Sequence, residues 1–268
     1  MLKQAIDLRE EGEALCVFLA ELGEADWAQA TPFKGWTVNA VMQHLHFGDW
    51  MASVSLEDPE RFARLLEARR VARMQGDGSA DIGEGAPDMR EGPALLEQWW
   101  TCLARLCDSM ETESPDRRVA WVGPDMGLRS FATARQMETW AHGQDIYDLM
   151  QVPRTHFDRV ANICVLGCHT FGWSFRNRGL EPPTPMPYVR LTLPSGALWE
   201  HGAESMTDRV EGTAVDFCRV VTQGRNIADV DLEVAGEPAQ TWMALAQCFA
   251  GQPSDPPAPG TRAWERRP

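Results

Sequence analysis

"ATPFKGWTVNAVMQHLHFGDW", residues 30–50, joins a turn to a helix, and the architecture follows from where that helix begins. The segment up to Trp36 reads as a turn, and Thr37 stands where a helix N-cap belongs, its hydroxyl free to accept from a first-turn N–H. Beyond it, Val38, Val41, Met42 and Leu45 recur at helical spacing and make one apolar face. A turn feeding a capped amphipathic helix points to helix-on-helix packing. The same helix carries His44 and His46. Positions two apart on a helix point about 200° apart, so the two imidazoles cannot share one site. His44 follows Val41 by three on the interior stripe and is the inward candidate, while His46 falls toward the opposite side.

Reading outward, residues 1–22 place Leu2, Ile6, Leu8, Leu15, Phe18, Leu19 and Leu22 at broadly helical spacing. "DPERFARLLEARRVARM" starts a further helix with Pro59 near its first turn. Residues 75–88, rich in Gly and Asp and nearly devoid of apolar side chains, read as a long mobile loop. A helix over 88–113 carries Leu95, Leu96, Trp99, Leu103 and Leu106 in stripe. "RRVAWVGPDMGLRS", 117–130, reads as a turn-rich crossover, and Ser130 opens a helix that stops before Pro153. One more helix is expected over 155–178, ended by Gly179. Residues 1–180 therefore read as a helical bundle. The pattern then changes: "YVRLTLP" alternates, short strand-like runs follow, and helix, strand and helix close the segment. This predicts a small α+β domain over 187–252, with the Pro-rich 253–268 as a flexible tail.

Charge excludes one class of partner. The chain of 268 residues has 25 Lys and Arg against 39 Asp and Glu, a formal charge of −14, so a phosphate backbone is repelled and nucleic acid is not expected. No run approaches the roughly 18 apolar residues of a membrane span, and residues 1–22 lack the apolar core of a secretory signal. Seven cysteines with no C-x-x-C pair suit a reducing, cytoplasmic setting. Cys164 and Cys168, four apart and followed by His169, read as buried thiols on an apolar helix face.

"METWAHGQDI", 137–146, sets Glu138 and His142 four apart on one face of a helix. Two readings compete at that spacing: half of a metal site awaiting a histidine from another helix, or a solvated polar pair. His156, His169 and His201 read as structural or exposed. Asp49, Gln144 and Asp145 follow the histidines closely enough to orient an imidazole, or else are surface groups. Arg129 and Arg135 flank the helix either as carboxylate binders or as surface ion-pair partners. Trp36 reads as a buried anchor of its turn, and no cysteine has a basic neighbour that would make it a nucleophile.

"ATPFKGWTVNAVMQHL" resembles the N-terminal signature of the mycothiol-dependent maleylpyruvate isomerase family, within the DinB-like superfamily of four-helix metal-binding bundles. "RSFATARQMETWAHGQDI" and "AVDFCRVVTQGRN" are similar to a metal-binding branch of that family. The resemblance implies a DinB-like four-helix bundle followed by a sterol-carrier-like α+β domain. It implies His44, Glu138 and His142 as ligands of a divalent metal, with zinc the default and copper, nickel or iron alternatives. It further implies a low-molecular-weight thiol, mycothiol or glutathione, as cofactor, and a small electrophile as substrate of an isomerase or S-transferase. Two rival classes stand beside this: a metal- or small-ligand-binding protein without turnover, and a metal-dependent hydrolase needing no thiol.

Overall fold

The structure, a computed structural model, describes residues 2–74, 86–123 and 125–262. Most of the loop expected over 75–88 lies outside the described residues. The described chain divides into two compact units, Met1–His142 and Gly143–Pro268. The division falls inside a helix, upstream of the composition break near residue 180. Among the described residues no helix is long and apolar enough to cross a membrane.

The first unit is helical. Helix α1 (Lys3–Leu19) packs on α4 (Gly92–Thr112), and α4 packs on α2 (Val38–Glu57). Leu8 and Leu15 of α1, Val41 and Leu45 of α2, and Leu95, Leu103 and Leu106 of α4 are buried, as the stripes predict. Gly12 permits the α1–α4 approach, since a Cβ there would meet Leu103 Cδ2 at 2.2 Å. Helix α3 (Pro59–Met74) seats Phe62 and Leu65 against Met51 and Val54 of α2.

The expected crossover contains a two-stranded hairpin, β1 (Arg118–Val119) with β2 (Met126–Gly127). Strands of two residues are too short to show an alternation in sequence. Trp121 of the hairpin loop stacks on Phe62 at 5.8 Å, tying it to the α3 cluster. Helix α5 (Leu128–Met150) begins directly from β2.

In the second unit the single helix expected over 155–178 is two, α6 (Ala161–His169) and α7 (Phe171–Arg176). The break is at Thr170, whose backbone leaves the helical region while its hydroxyl donates to the Leu166 and Gly167 carbonyls at 2.8 and 3.1 Å. Four strands follow: β3 (Tyr188–Thr192), β4 (Leu198–His201), β5 (Arg209–Thr213) and β6 (Leu232–Ala235). Their order is β4-β3-β5-β6, with β3 and β5 parallel and the outer pairs antiparallel, so the sheet is mixed. Helices α8 (Ala214–Val221) and α9 (Glu237–Leu245) complete the unit, burying Phe217, Val221 and Trp242 with Val189, Leu191 and Val210. Thr213 caps α8, accepting from the Asp216 N–H at 3.0 Å. The segment expected to be a flexible tail is tied down over its described part. Asp255 accepts from Arg178 at 2.8 Å, the Pro257 carbonyl from Asn226 at 2.9 Å, and the Gly260 N–H donates to Asp229 at 2.9 Å.

Candidate metal centre

Thr37 fixes where α2 begins: its hydroxyl accepts from the Ala40 N–H at 3.1 Å. That start turns His44 toward α5, where Glu138 and His142 stand one turn apart. His44 Nε2 lies 3.2 Å from Glu138 Oε2, and His142 Nε2 lies 3.5 Å from the same oxygen. Each of the three residues offers one ligand atom, and these atoms lie within 4.8 Å of one another. It is the one such group among the described residues. The structure thus brings the Glu138–His142 pair on α5 together with the inward histidine of α2.

Burial alone would raise the Glu138 carboxyl, but the His142 and His44 hydrogen bonds outweigh it. With the positive charge of Arg135 added, the group is held well below the usual carboxylate range. It is therefore anionic at neutral pH. The His44 side chain is 39% exposed and that of His142 is 11%, so the cluster is reached from the His44 side. Two imidazole nitrogens and one carboxylate oxygen, from side chains sharing one oxygen as their meeting point, are a donor set that fits a divalent cation and leaves a position for another ligand.

Aromatic rings frame the cluster, and these the sequence did not disclose. Trp36 stacks on His142 at 6.1 Å with 15° between the planes and lies 5.4 Å from His44. Phe33 meets His142 edge-on at 4.8 Å and Trp36 at 5.0 Å. Trp36, expected to anchor its turn, is half-buried and forms a wall of the site. The available signal was two aromatic residues crowded into the turn that feeds the His44 helix.

Behind Glu138 runs a buried polar network. Arg135 Nε donates to Asp49 Oδ1 at 2.8 Å, and Trp99 Nε1 donates to Asp49 Oδ2 at 2.8 Å. Asp49 is fully buried and the Arg135 side chain is 5% exposed, so both surface readings are corrected. The pair ties α2 to α5 one turn from Glu138. Gly48 makes room for it: a Cβ at that position would lie 2.7 Å from an Arg135 nitrogen. A glycine in mid-helix lowers helix stability by about 1 kcal/mol, and close approach by a neighbour is a reason to tolerate it.

The remaining candidates lie elsewhere. His46 is not part of the cluster, yet it is buried rather than turned outward, because α2 is covered on more than one side. Within the second unit, Gln144 donates to Asp148 at 2.8 Å, Asp148 pairs with Arg225 at 2.7 Å, and Asp145 lies 3.8 Å from Arg262. Arg129 is exposed. His169 and His201 face each other at 6.2 Å between ring centroids. None of the seven cysteines is in a disulfide, and burial pushes the Cys102 and Cys107 thiols up to about 12, which disqualifies both as nucleophiles.

Comparison with known proteins gives three findings. The family model described as the mycothiol maleylpyruvate isomerase N-terminal domain matches residues 8–147. Two uncharacterized proteins of Mycobacterium tuberculosis, from strains CDC 1551 and H37Rv, are each 37% identical over 249 residues, 92% of this chain and 95% of theirs. The crystal structure of the mycothiol-dependent maleylpyruvate isomerase aligns with a TM-score of 0.47 at 14% identity, over 81% of this chain and 87% of that one.

Proposed function

The chain belongs to the family of the mycothiol maleylpyruvate isomerase N-terminal domain, and from that premise we propose that it is a divalent-metal-dependent, thiol-using isomerase or S-transferase acting on a small electrophile. One observation carries the reading. Within the family-matched segment, the His44 and His142 Nε2 atoms converge on one Glu138 carboxylate oxygen, with His44 partly exposed. We read residues 1–180 as a DinB-like four-helix bundle and 187–252 as a sterol-carrier-like α+β domain. Seven cysteines with no disulfide among them suit a reducing compartment.

In this reading His44, Glu138 and His142 hold the cation, zinc by default for such a donor set. Bound there, a divalent cation supplies Lewis acidity that lowers the pKa of a thiol, mycothiol or glutathione, into the neutral range. The chain's own residues do the rest. Glu138 stays anionic because two imidazoles and Arg135 stabilise its charge. Asp49 and Trp99 fix Arg135, and through it the helical turn that carries Glu138. Trp36 and Phe33, in contact with each other, pack against the His142 ring and exclude water from one side of the site. The exposed side of His44 leaves an approach for thiol and electrophile.

The test measures metal content of the purified wild type and His44→Ala, followed by thermal shift with mycothiol, glutathione and bacillithiol. A panel of electrophiles is then assayed with and without the effective thiol. One equivalent of metal in the wild type, its loss in His44→Ala and thiol-dependent turnover are expected. Full metal retention in His44→Ala would remove the assigned ligands. Turnover without added thiol would point to a hydrolase, and metal binding with no turnover to a binding protein.

A further inference from the structure

Two histidines outside the candidate metal centre come together in the second unit. His169 is the last residue of α6 and His201 the last of β4, and their ring centroids lie 6.2 Å apart with 68° between the planes. His169 is exposed and His201 half-buried, so both rings meet solvent. Neither side chain has a hydrogen-bond or ion-pair partner among the described residues. The pair does not hold itself together by charge either, since two protonated imidazoles repel. Burial, and after it the charge of His169, pushes the His201 imidazole below its usual value. A neutral ring keeps one nitrogen lone pair to offer.

The supports of the two rings differ. Alternation along β4 turns Trp199 and His201 to its half-buried face and Leu198 and Glu200 to solvent. Trp199 stacks on His201 at 5.9 Å with 8° between the planes, which fixes that imidazole, while β4 is itself paired to β3 with His201 opposite Val189. Glu200 is engaged on the other face, where it accepts from the Tyr188 hydroxyl. His169, exposed at a helix end, has the freedom to turn. A cation that binds imidazole nitrogen at about 2.1 Å sets the centroids of two such rings roughly 5–6 Å apart. A change of side-chain torsion at His169 closes the difference. Imidazole suits zinc, copper and nickel, whereas magnesium and calcium take oxygen. Among the described residues no third His, Cys, Asp or Glu joins the pair, so most of the coordination falls to water.

We propose that His169 and His201 form a second cation site, a two-imidazole clamp that holds a divalent transition-metal ion in exchange with solvent. The experiment uses the full chain carrying His44→Ala, or Glu138→Gln where that variant does not fold, so the reading is independent of whether the His44 cluster binds metal. Chelator-stripped protein is dialysed against nickel(II) chloride, which spares the free thiols from oxidation, and histidine ring signals are followed by NMR. One equivalent of nickel bound in the micromolar range is expected, with paramagnetic broadening first at His169 and His201 and no displacement by excess magnesium. An ion held so weakly is lost on gel filtration and does not enter the metal content of the purified chain. His169→Gln and His201→Gln should each weaken binding by more than about tenfold, since loss of even a supporting residue costs that much. His169 is exposed, so His169→Gln serves where His201→Gln does not fold. Absence of saturable nickel binding, broadening confined to other histidines, displacement by magnesium, or unchanged affinity in the folded variants would overturn the proposal.

Discussion

In the proposed reading Glu138 is the point on which the chemistry turns, because two imidazoles aim at one of its oxygens. Glu138→Gln keeps the shape and removes the charge. It is expected to weaken metal binding by more than about 100-fold, the upper end of what even loss of a supporting residue costs. Competition with a chromogenic zinc chelator measures it, and an unchanged affinity would remove Glu138 from the ligand set. The second unit holds a titrating residue of its own. Burial, reinforced by the charges of Arg154, Arg219 and Arg159, pushes the His156 imidazole down to about 3. An unfolded histidine titrates near 6.5, so the unfolded chain takes up the proton first. The stability contribution is therefore complete above pH 6.5 and is lost as the pH falls toward 3. Between pH 7 and 5 the wild type should lose about 2 kcal/mol that His156→Leu does not lose. Urea unfolding at both pH values compares the two, and parallel losses would contradict the assignment. At this scale the sequence was informative where spacing was local, as for Glu138 and His142. The burial of His46 was missed because a single-face reading assigns one inward direction to a helix that is covered on several sides.

Helix α2 illustrates what an element shows in sequence and what it hides. Its cap and its stripe were legible from Thr37 through Leu45, since each depends on neighbours within a few residues. Thr37→Ala should cost about 1 kcal/mol, read as a lower thermal midpoint, while metal stoichiometry is retained. The attachment of α2 to α5 was not legible. Asp49 and Arg135 are 86 residues apart, and no periodicity links them. Gly48 was the local hint, a glycine at a mid-helix position where a neighbour needs space. Asp49→Ala leaves a guanidinium buried without its carboxylate and should destabilise by about 3–5 kcal/mol, with metal affinity falling as the turn of Glu138 loosens. An Asp49→Ala protein as stable as wild type would mean that the pair is not what joins these helices. The hairpin β1–β2 and the break at Thr170 belong to the same lesson. One is too short to pattern, and the other depends on a side-chain hydroxyl that redirects its own backbone.

For the molecule as a whole, composition and pattern separated a helical N-terminal part from a mixed C-terminal one, because periods of 3.6 and 2 differ in any window. They did not reveal that the last residues described are held by Asn226, Arg178 and Asp229, since proline-rich segments look alike whether docked or loose. A cation that binds only the folded chain stabilises all of the structure that unfolds with the site, by about 2.7 kcal/mol at a hundred times its dissociation constant. Chelator-treated protein should therefore melt at a lower temperature and recover on addition of zinc, and Glu138→Gln should do neither. Equal midpoints with and without chelator would argue against a resident ion. The continuity of α5, from Leu128 to Met150, has a practical corollary for anyone dissecting the chain. A truncation ending at the compactness boundary would leave His142 on a frayed terminal turn, stripped of the downstream amides that its backbone carbonyls require. A fragment retaining the helix through Met150 keeps those amides, so eight residues outside the proposed ligand set would decide whether an excised half captures the proposed ion.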